Sequence, residues 1–384
     1  MGDETWRRAG WAGAAIGVLA AGAAAGVAVE RLTVGRSVRE KARLALDAEG
    51  PYGALRSAPG WAVADDSTRL YFEVDEVEGD APAPRRRRLF GRKAPAPVTV
   101  VFSHGYCLNQ DSWHFQRAAL RGLVRTVYWD QRSHGRSGRG VEQAGPDGVP
   151  VSIDRLGEDL KAVLDAAAPE GPLVLVGHSM GGMTMMALAD RYPELVRERV
   201  VGAAFVGTSA GRLGEISYGL PIAGVNAVRR VLPGVLRALG SQAELVERGR
   251  RATADLFAGL IKKYSFSSKD VDPAVVRFAE RMIESTPIDV VAEFYPAFVE
   301  HDKTAALAAF RELPVLALAG DRDLVTPGSH TEAIADLLPE AELVIVPDAG
   351  HLVMLEHPEA VTDRLADLLG RVGAVAVGGR PVGG

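Results

Sequence analysis

A mainly parallel α/β sheet with helices on both faces, interrupted by an inserted block of helices, is the fold this sequence predicts. Three observations predict it. From residue 98 onward, short apolar runs alternate with helical patterns. That alternation breaks between Gly211 and His301, where helical patterns follow one another without a strand. And Gly177-His178-Ser179-Met180-Gly181-Gly182 joins an apolar run to a helical one, the strand–turn–helix setting that lifts a serine off the end of a sheet.

Composition sets the outer bounds. The chain has 384 residues, 47% hydrophobic, with a formal net charge of −5. That length suits one large α/β domain with an insertion. The charge balance excludes the global basic field that nucleic acid requires, so no nucleic-acid partner is expected. A single cysteine, Cys107, excludes an internal disulfide framework. No self-similarity stands out at solenoid periods.

Residues 1–50 read as a separate N-terminal segment plus a linker helix. Ala9 to Val29 carries no charge. At about 1.5 Å per residue, a helix of that length would reach roughly 30 Å, the hydrocarbon thickness of a bilayer. It is rich in Ala and Gly, so insertion would be marginal. Three readings stand: a single-pass membrane anchor, a cleaved export signal running from Arg7-Arg8 to Gly26-Val27-Ala28, and a soluble helix. The length favours the anchor, so membrane association through residues 9–29 is the expectation. Arg31, Arg36, Arg39, Lys41 and Arg43 after the segment argue for a cytoplasmic bulk, whereas the Arg pair before it argues the reverse. Ser37 to Glu49 reads as a helix ended by Gly50-Pro51.

A first core part spans residues 51–210. Arg69 to Val74 alternates as a strand. A Pro-rich basic loop, 78–97, follows it, with Arg85 to Arg88, Arg92 and Lys93. This loop is either a solvated hairpin insertion or a basic patch touching anionic lipid. Apolar strands are predicted at Val98–Ser103, Arg125–Trp129, Leu173–Val176 and Val200–Val206. They are nearly continuous in apolar character, as strands buried on both faces should be. Helices are predicted at Asp154–Ala168 and Met183–Arg191.

The insertion, residues 211–301, carries four helical patterns: Gly224–Leu239, Gln242–Ile261, Pro273–Glu284 and Ile288–Val299. It reads either as extra structural helices or as a lid. Position favours a lid, because loops at the carboxyl ends of parallel strands face the ligand crevice. A second core part, 302–372, adds strands at Val315–Ala319 and Leu343–Val346 and helices at His330–Leu338 and His357–Leu369. The small-residue tail, 373–384, is expected to be flexible.

Serine Oγ is a weak nucleophile at neutral pH and needs a base. Of the eight histidines, His351 follows the last strand in a loop at the carboxyl edge of the sheet. The alternative for His351 is a helix-start residue. A base needs an orienting carboxylate, and two compete after the strand at 315–319. Asp323, farther into the loop, is the choice; Asp321 would support the turn or pair with Arg322. A developing oxyanion needs donors. The backbone N–H of Met180, directly after the serine, is one. The other is the N–H of Tyr106, in the loop Ser103-His104-Gly105-Tyr106. His104 would hold that loop by hydrogen bonding rather than act as a base.

At these residues the chain resembles the α/β-hydrolase superfamily, in its esterase, lipase and perhydrolase-like branch. The resemblance rests on Ser103-His104-Gly105-Tyr106, on Asp130-Gln131-Arg132-Ser133-His134-Gly135-Arg136-Ser137, on the Ser179 motif and on the Asp323 and His351 loops. It covers residues 60 to 372. The family usually carries glycine where Ser133 stands. The resemblance implies the α/β-hydrolase fold with a cap in the insertion. Relatives that resemble epoxide hydrolases and haloalkane dehalogenases place Asp at the nucleophile, so Ser179 points to acyl transfer instead. The expected substrate is a small, apolar carboxylic ester, with a lipid-derived ester in view. No metal or organic cofactor is implied. Two alternatives stay open: a cofactor-free perhydrolase or haloperoxidase-like enzyme, and a catalytically silent membrane-tethered binding module.

Overall fold

Period-two alternation builds the sheet. In the computed structural model, which describes residues 52–78, 97–140, 149–215, 234, 263–268 and 270–374, each parallel strand divides its side chains between two faces. In β3 (Thr99–Ser103), Val101 joins one apolar cluster while Val100 and Phe102 join the other. β5 (Leu173–His178) repeats this, with Leu173 and Leu175 on one face and Val174 and Val176 on the opposite one. Both faces are buried, which is why these strands read as unbroken apolar runs.

The sheet has eight strands in the order β1-β2-β4-β3-β5-β6-β7-β8. β1 (Pro59–Val63) and β2 (Arg69–Asp75) pair antiparallel, and β2 pairs antiparallel with β4 (Arg125–Trp129). Every other pair is parallel, through β6 (Val200–Val206), β7 (Val315–Gly320) and β8 (Ala341–Val346). The registers Ser103↔Gly177, His178↔Val206, Val206↔Leu318 and Gly320↔Val346 bring the carboxyl ends of β3, β5, β6, β7 and β8 to one edge.

Helices cover both faces. α1 (His114–Leu120) lies between β3 and β4. α2 (Ile153–Ala167) and α3 (Met180–Arg191) pack on one face through Leu160, Val163, Leu164, Met185, Met186 and Leu188. α4 (Pro193–Arg199) leads into β6. Between β6 and β7 come α5 (Pro273–Ser285) and α6 (Ile288–Glu300). α7 (Gly328–Leu337) precedes β8, and α8 (Val353–Glu356) and α9 (Pro358–Arg371) follow it. α9 seals the second face with Val361, Leu365, Leu368 and Leu369. Each such buried apolar side chain contributes about 1.5–3 kcal/mol relative to exposure.

Element boundaries shift for local reasons. α3 begins at Met180 rather than Met183 because it starts on the serine turn itself. β1 escapes the sequence pattern because its large apolar residues, Trp61 and Val63, lie on the exposed side. The expected single-pass membrane anchor is corrected: among the described residues, no helix is long and apolar enough to cross a membrane. α2, with 15 residues, reaches only about 22 Å, short of the roughly 30 Å hydrocarbon core. The predicted segment 9–29, the helix at 37–49, the basic stretch 85–93 and the tail from 375 lie outside the described residues. So do the patterns 224–239, apart from residue 234, and 242–261.

Candidate active site

Ser179 sits between β5 and α3 with φ +51° and ψ −117°. Such a left-handed backbone costs a side-chain-bearing residue energy and persists only where its surroundings enforce it. Here they do. A Cβ on Gly177 would stand 2.5 Å from the Gly181 carbonyl, so only glycines allow the strand to meet the helix this closely. Ser179 N–H donates to Val206 O at 2.9 Å, and Thr208 Oγ1 donates to Ser179 O at 2.7 Å. The turn is thereby fixed to the next strand.

Two loops from the same edge converge on this serine. After β7, Asp323 is 4% exposed and accepts from the amides of Val325 and Thr326, both at 2.8 Å. Its Oδ2 lies 2.8 Å from His351 Nδ1. The Thr326 hydroxyl lies 2.8 Å from Gly207 O and 3.0 Å from Asp323 Oδ2, bracing the carboxylate. Burial works to raise the Asp323 carboxyl, but the facing His351 and these amides outweigh it and hold it below its ordinary value. Asp321 turns away and accepts from Ala349 N–H at 3.2 Å, so it supports the turn. Arg322 pairs with Asp348 rather than with Asp321.

His178, next to the serine, was not singled out by the sequence. Its Nε2 donates to the His351 carbonyl at 2.9 Å, and the two rings lie 4.8 Å apart. Burial first, and then the nearby His351, push its pKa down to about 3, so it stays neutral. His351 is thus held both at its ring and at its backbone. Among the described residues the Ser179 hydroxyl makes no hydrogen bond to His351. Such contacts are often long before substrate arrives.

The other approach is from the loop after β3. A Cβ on Gly105 would stand 3.3 Å from Ser179 Cβ, which measures how closely that loop lies over the serine. His104 fixes it. Its Nε2 accepts from Gln131 N–H at 2.9 Å, which leaves Nδ1 as the donor to Gly105 O at 2.7 Å. Burial, then neighbouring His134, hold His104 well below its ordinary pKa. Gln131 closes the frame, donating to His104 O at 2.6 Å and accepting from Thr184 Oγ1 at 2.7 Å. Tyr106 follows on this loop, and Met180 is the first residue of α3. The first amides of a helix have no intrahelical partner.

The loop after β4 underpins this frame. Arg132 forks onto Asp159 at 2.5 and 2.6 Å and reaches Asp66 at 2.9 Å, all buried. The fork geometry of arginine suits this pairing. Ser133 holds φ +64°, the conformation for which glycine is usual, and its hydroxyl is buried without a hydrogen-bond partner.

Among the described residues of the insertion, α6 meets this region through Tyr106 and an apolar cluster. Tyr106 Oη donates to Val291 O of α6 at 2.5 Å, and its ring stacks on Phe294 at 6.0 Å. Met180 and Met183 share an apolar cluster with Val290, Phe294 and Ala297 of α6. Farther out, Arg139 pairs with Asp289 and Glu293. Among the described residues, no group of three or more His, Cys, Asp or Glu could hold a metal ion.

A serine on a strained strand-to-helix turn and a buried carboxylate–imidazole pair thus share one edge of an α/β sheet. The chain belongs to the alpha/beta hydrolase family, whose pattern matches residues 100–364. It is similar to the sn-1-specific diacylglycerol lipase of Mus musculus, 29% identical over 75% of this chain and 86% of that protein. It is similar also to 3-oxoadipate enol-lactonase 1 of Acinetobacter baylyi, 29% identical over 69% of this chain and 85% of the relative. Among solved structures, a thermophilic esterase from Thermogutta terrifontis superposes with a TM-score of 0.59 at 23% identity. It covers 82% of this chain and 99% of its own, a likeness of fold.

Proposed function

We propose that this chain is a serine hydrolase that cleaves carboxylic esters through Ser179, His351 and Asp323. The observation that carries the reading is the 2.8 Å pairing of His351 Nδ1 with Asp323 Oδ2 beside the elbow serine. Asp323 fixes the imidazole with Nδ1 protonated, leaving Nε2 free to accept a proton. Ser179 Oγ attacks the ester carbonyl as its proton passes to His351. The backbone N–H groups of Tyr106 and Met180 hold the developing oxyanion. Collapse breaks the bond to the alcohol, which leaves with the proton from His351. Water then attacks the acyl-enzyme by the same proton path, releasing the acid and restoring Ser179.

Residues 211–301 serve in this reading as a cap that selects the acyl group. The apolar cluster of Met180, Met183, Val290 and Phe294 beside the serine supports an apolar acyl chain. The mouse relative's name makes lipid-derived esters the first class to test. The test is hydrolysis of p-nitrophenyl esters from acetate to palmitate, followed by monoacylglycerols and diacylglycerols. Turnover is expected to peak above acetate and to vanish in Ser179→Ala. Wild-type protein that labels with a serine-directed probe yet hydrolyses no ester in the series would overturn the ester reading.

A further inference from the structure

The loop that carries His351 is held at one residue after another. Ala349 O accepts from Arg322 N–H at 3.0 Å, and Leu352 N–H donates to Ser265 O at 2.9 Å. His351 O accepts from His178. A further hold is Glu356, which the sequence pattern does not mark and the proposed chemistry does not use. Its Oε2 accepts from Gly350 N–H at 2.6 Å, one residue before the base. Its Oε1 accepts from Ser267 N–H at 2.9 Å and Ser268 N–H at 2.6 Å. Those serines lie within the insertion, just before α5.

One carboxylate therefore joins two segments far apart in sequence. They already touch backbone to backbone, since a Cβ on Gly350 would stand 2.8 Å from both Ser265 O and Ser267 N. Glu356 is also the lone charge after the apolar run Leu352-Val353-Met354-Leu355, all of it buried. Facing only amide donors, the position demands an acceptor at both oxygens. A carboxylate meets that demand and makes charge-assisted bonds. A carboxamide does not, because its NH2 would face another N–H.

We propose that Glu356 is a positioning residue for His351: its carboxylate clamps the base loop to segment 265–268 and so sets the imidazole against Ser179. This rests on the Ser179–His351–Asp323 reading. Misplacing a base by even a fraction of an ångström slows proton transfer while leaving most substrate contacts intact.

The test compares Glu356→Gln with the wild type on one p-nitrophenyl ester, alongside melting temperature and the rate of fluorophosphonate labelling. The clamp predicts that kcat falls about 10–100-fold while KM moves less than about threefold. Labelling slows in parallel, and Glu356→Asp recovers part of the rate. A variant that melts earlier but keeps wild-type kcat well below its melting point would reduce Glu356 to a structural contact and overturn the proposal. Should Glu356→Gln fail to fold, Ser268→Pro removes one amide from the far end of the clamp and is expected to lower kcat in the same way; unchanged kcat there also overturns it. A wild type that neither hydrolyses nor labels defeats the serine-hydrolase reading itself. An active wild type matched by Glu356→Gln defeats the clamp alone.

Discussion

The sheet edge that carries Ser179 and the helix α6 beside it are tied to the molecule through different kinds of contact. At the edge, the polar groups around the chemistry are paired over short distances and buried: Asp323 with His351, His104 with Gln131, Ser179 with Val206 and Thr208. Among the described residues, α6 meets this edge through a phenolic hydrogen bond, apolar and ring contacts and the partly exposed Arg139 pairs. The difference teaches that, in the proposed reading, the geometry needed for proton transfer is fixed by the core. α6, which that reading gives a part in choosing the substrate, meets the edge through apolar contacts and partly exposed ion pairs, which can change at little cost to the fold.

The largest expected effect tests the fixed side. Asp323→Asn should cost about 10⁴-fold in kcat, because the carboxamide no longer holds the reactive tautomer. Asp321→Asn should cost far less, since Asp321 only accepts from Ala349 N–H. Steady-state kinetics on both variants decides, and equal losses would erase the distinction between them.

The next probes the fastening. Tyr106→Phe keeps the backbone N–H but leaves Val291 O without its phenolic donor. Losing this half-buried hydrogen bond costs about 0.5–1.5 kcal/mol. The melting temperature should drop, and KM should rise for long acyl chains more than for acetate. A uniform loss of kcat across chain lengths would instead place the effect in the oxyanion loop.

Acid should unfold the core through its paired carboxylates. Burial works to raise Glu73 and Asp75, yet hydrogen bonds from Tyr71, the Ser57 amide and Arg117 hold Glu73 below its ordinary 4.5, and Arg117 with Ser57 holds Asp75 below 3.8. Asp323 is likewise lowered. A lowered carboxyl contributes stability above its unfolded pKa and loses it as pH falls through the folded one. Asp130 runs the other way: burial lifts it to about 6 against the Gln110 and Arg136 amides, so its contribution grows as pH falls toward 4. The buried histidines outweigh it: burial keeps His104, His134 and His178 neutral, with His134 pushed down to about 4 and His178 to about 3, so each takes up a proton only on unfolding. Melting temperature should therefore fall as pH drops below about 6.5. A melting temperature that holds or rises from pH 6 to roughly 4 would mean these buried groups do not govern acid stability.

Ser133→Gly should stabilise by about 1 kcal/mol, relieving a left-handed φ of +64° and removing an unpaired buried hydroxyl. No change in a melting curve would show that the loop relaxes around the serine. The smallest effect belongs to Arg139→Ala. Its partly exposed pairs are worth less than about 1 kcal/mol, and salt should mimic the variant. Activity that is insensitive to both would show that these ion pairs do not set the position of α6.

Much of the edge was legible in the sequence because its signals are local. An apolar run ending in Gly177-His178-Ser179-Met180-Gly181 announces its own turn, and the His351 loop follows directly on a strand. The choice of Asp323 over Asp321 followed from its depth in the loop, and Asp323 is the aspartate whose carboxylate reaches the imidazole. Contacts between distant residues left no such trace. His178 meets the His351 carbonyl across 173 positions, and Glu356 meets Ser267 across 89. β1 hid for another reason: Trp61 and Val63 face solvent, so its pattern points the wrong way. The membrane anchor was inferred from the length of segment 9–29 alone, and no described helix supports it.

One measurement bears most directly on the central claim. Intact-mass analysis after fluorophosphonate treatment, with peptide mapping, should find a single adduct on Ser179 in the wild type and none in Ser179→Ala, with labelling in His351→Ala slowed by orders of magnitude. An adduct on another residue, or labelling of Ser179 that proceeds at the wild-type rate without His351, would contradict the account.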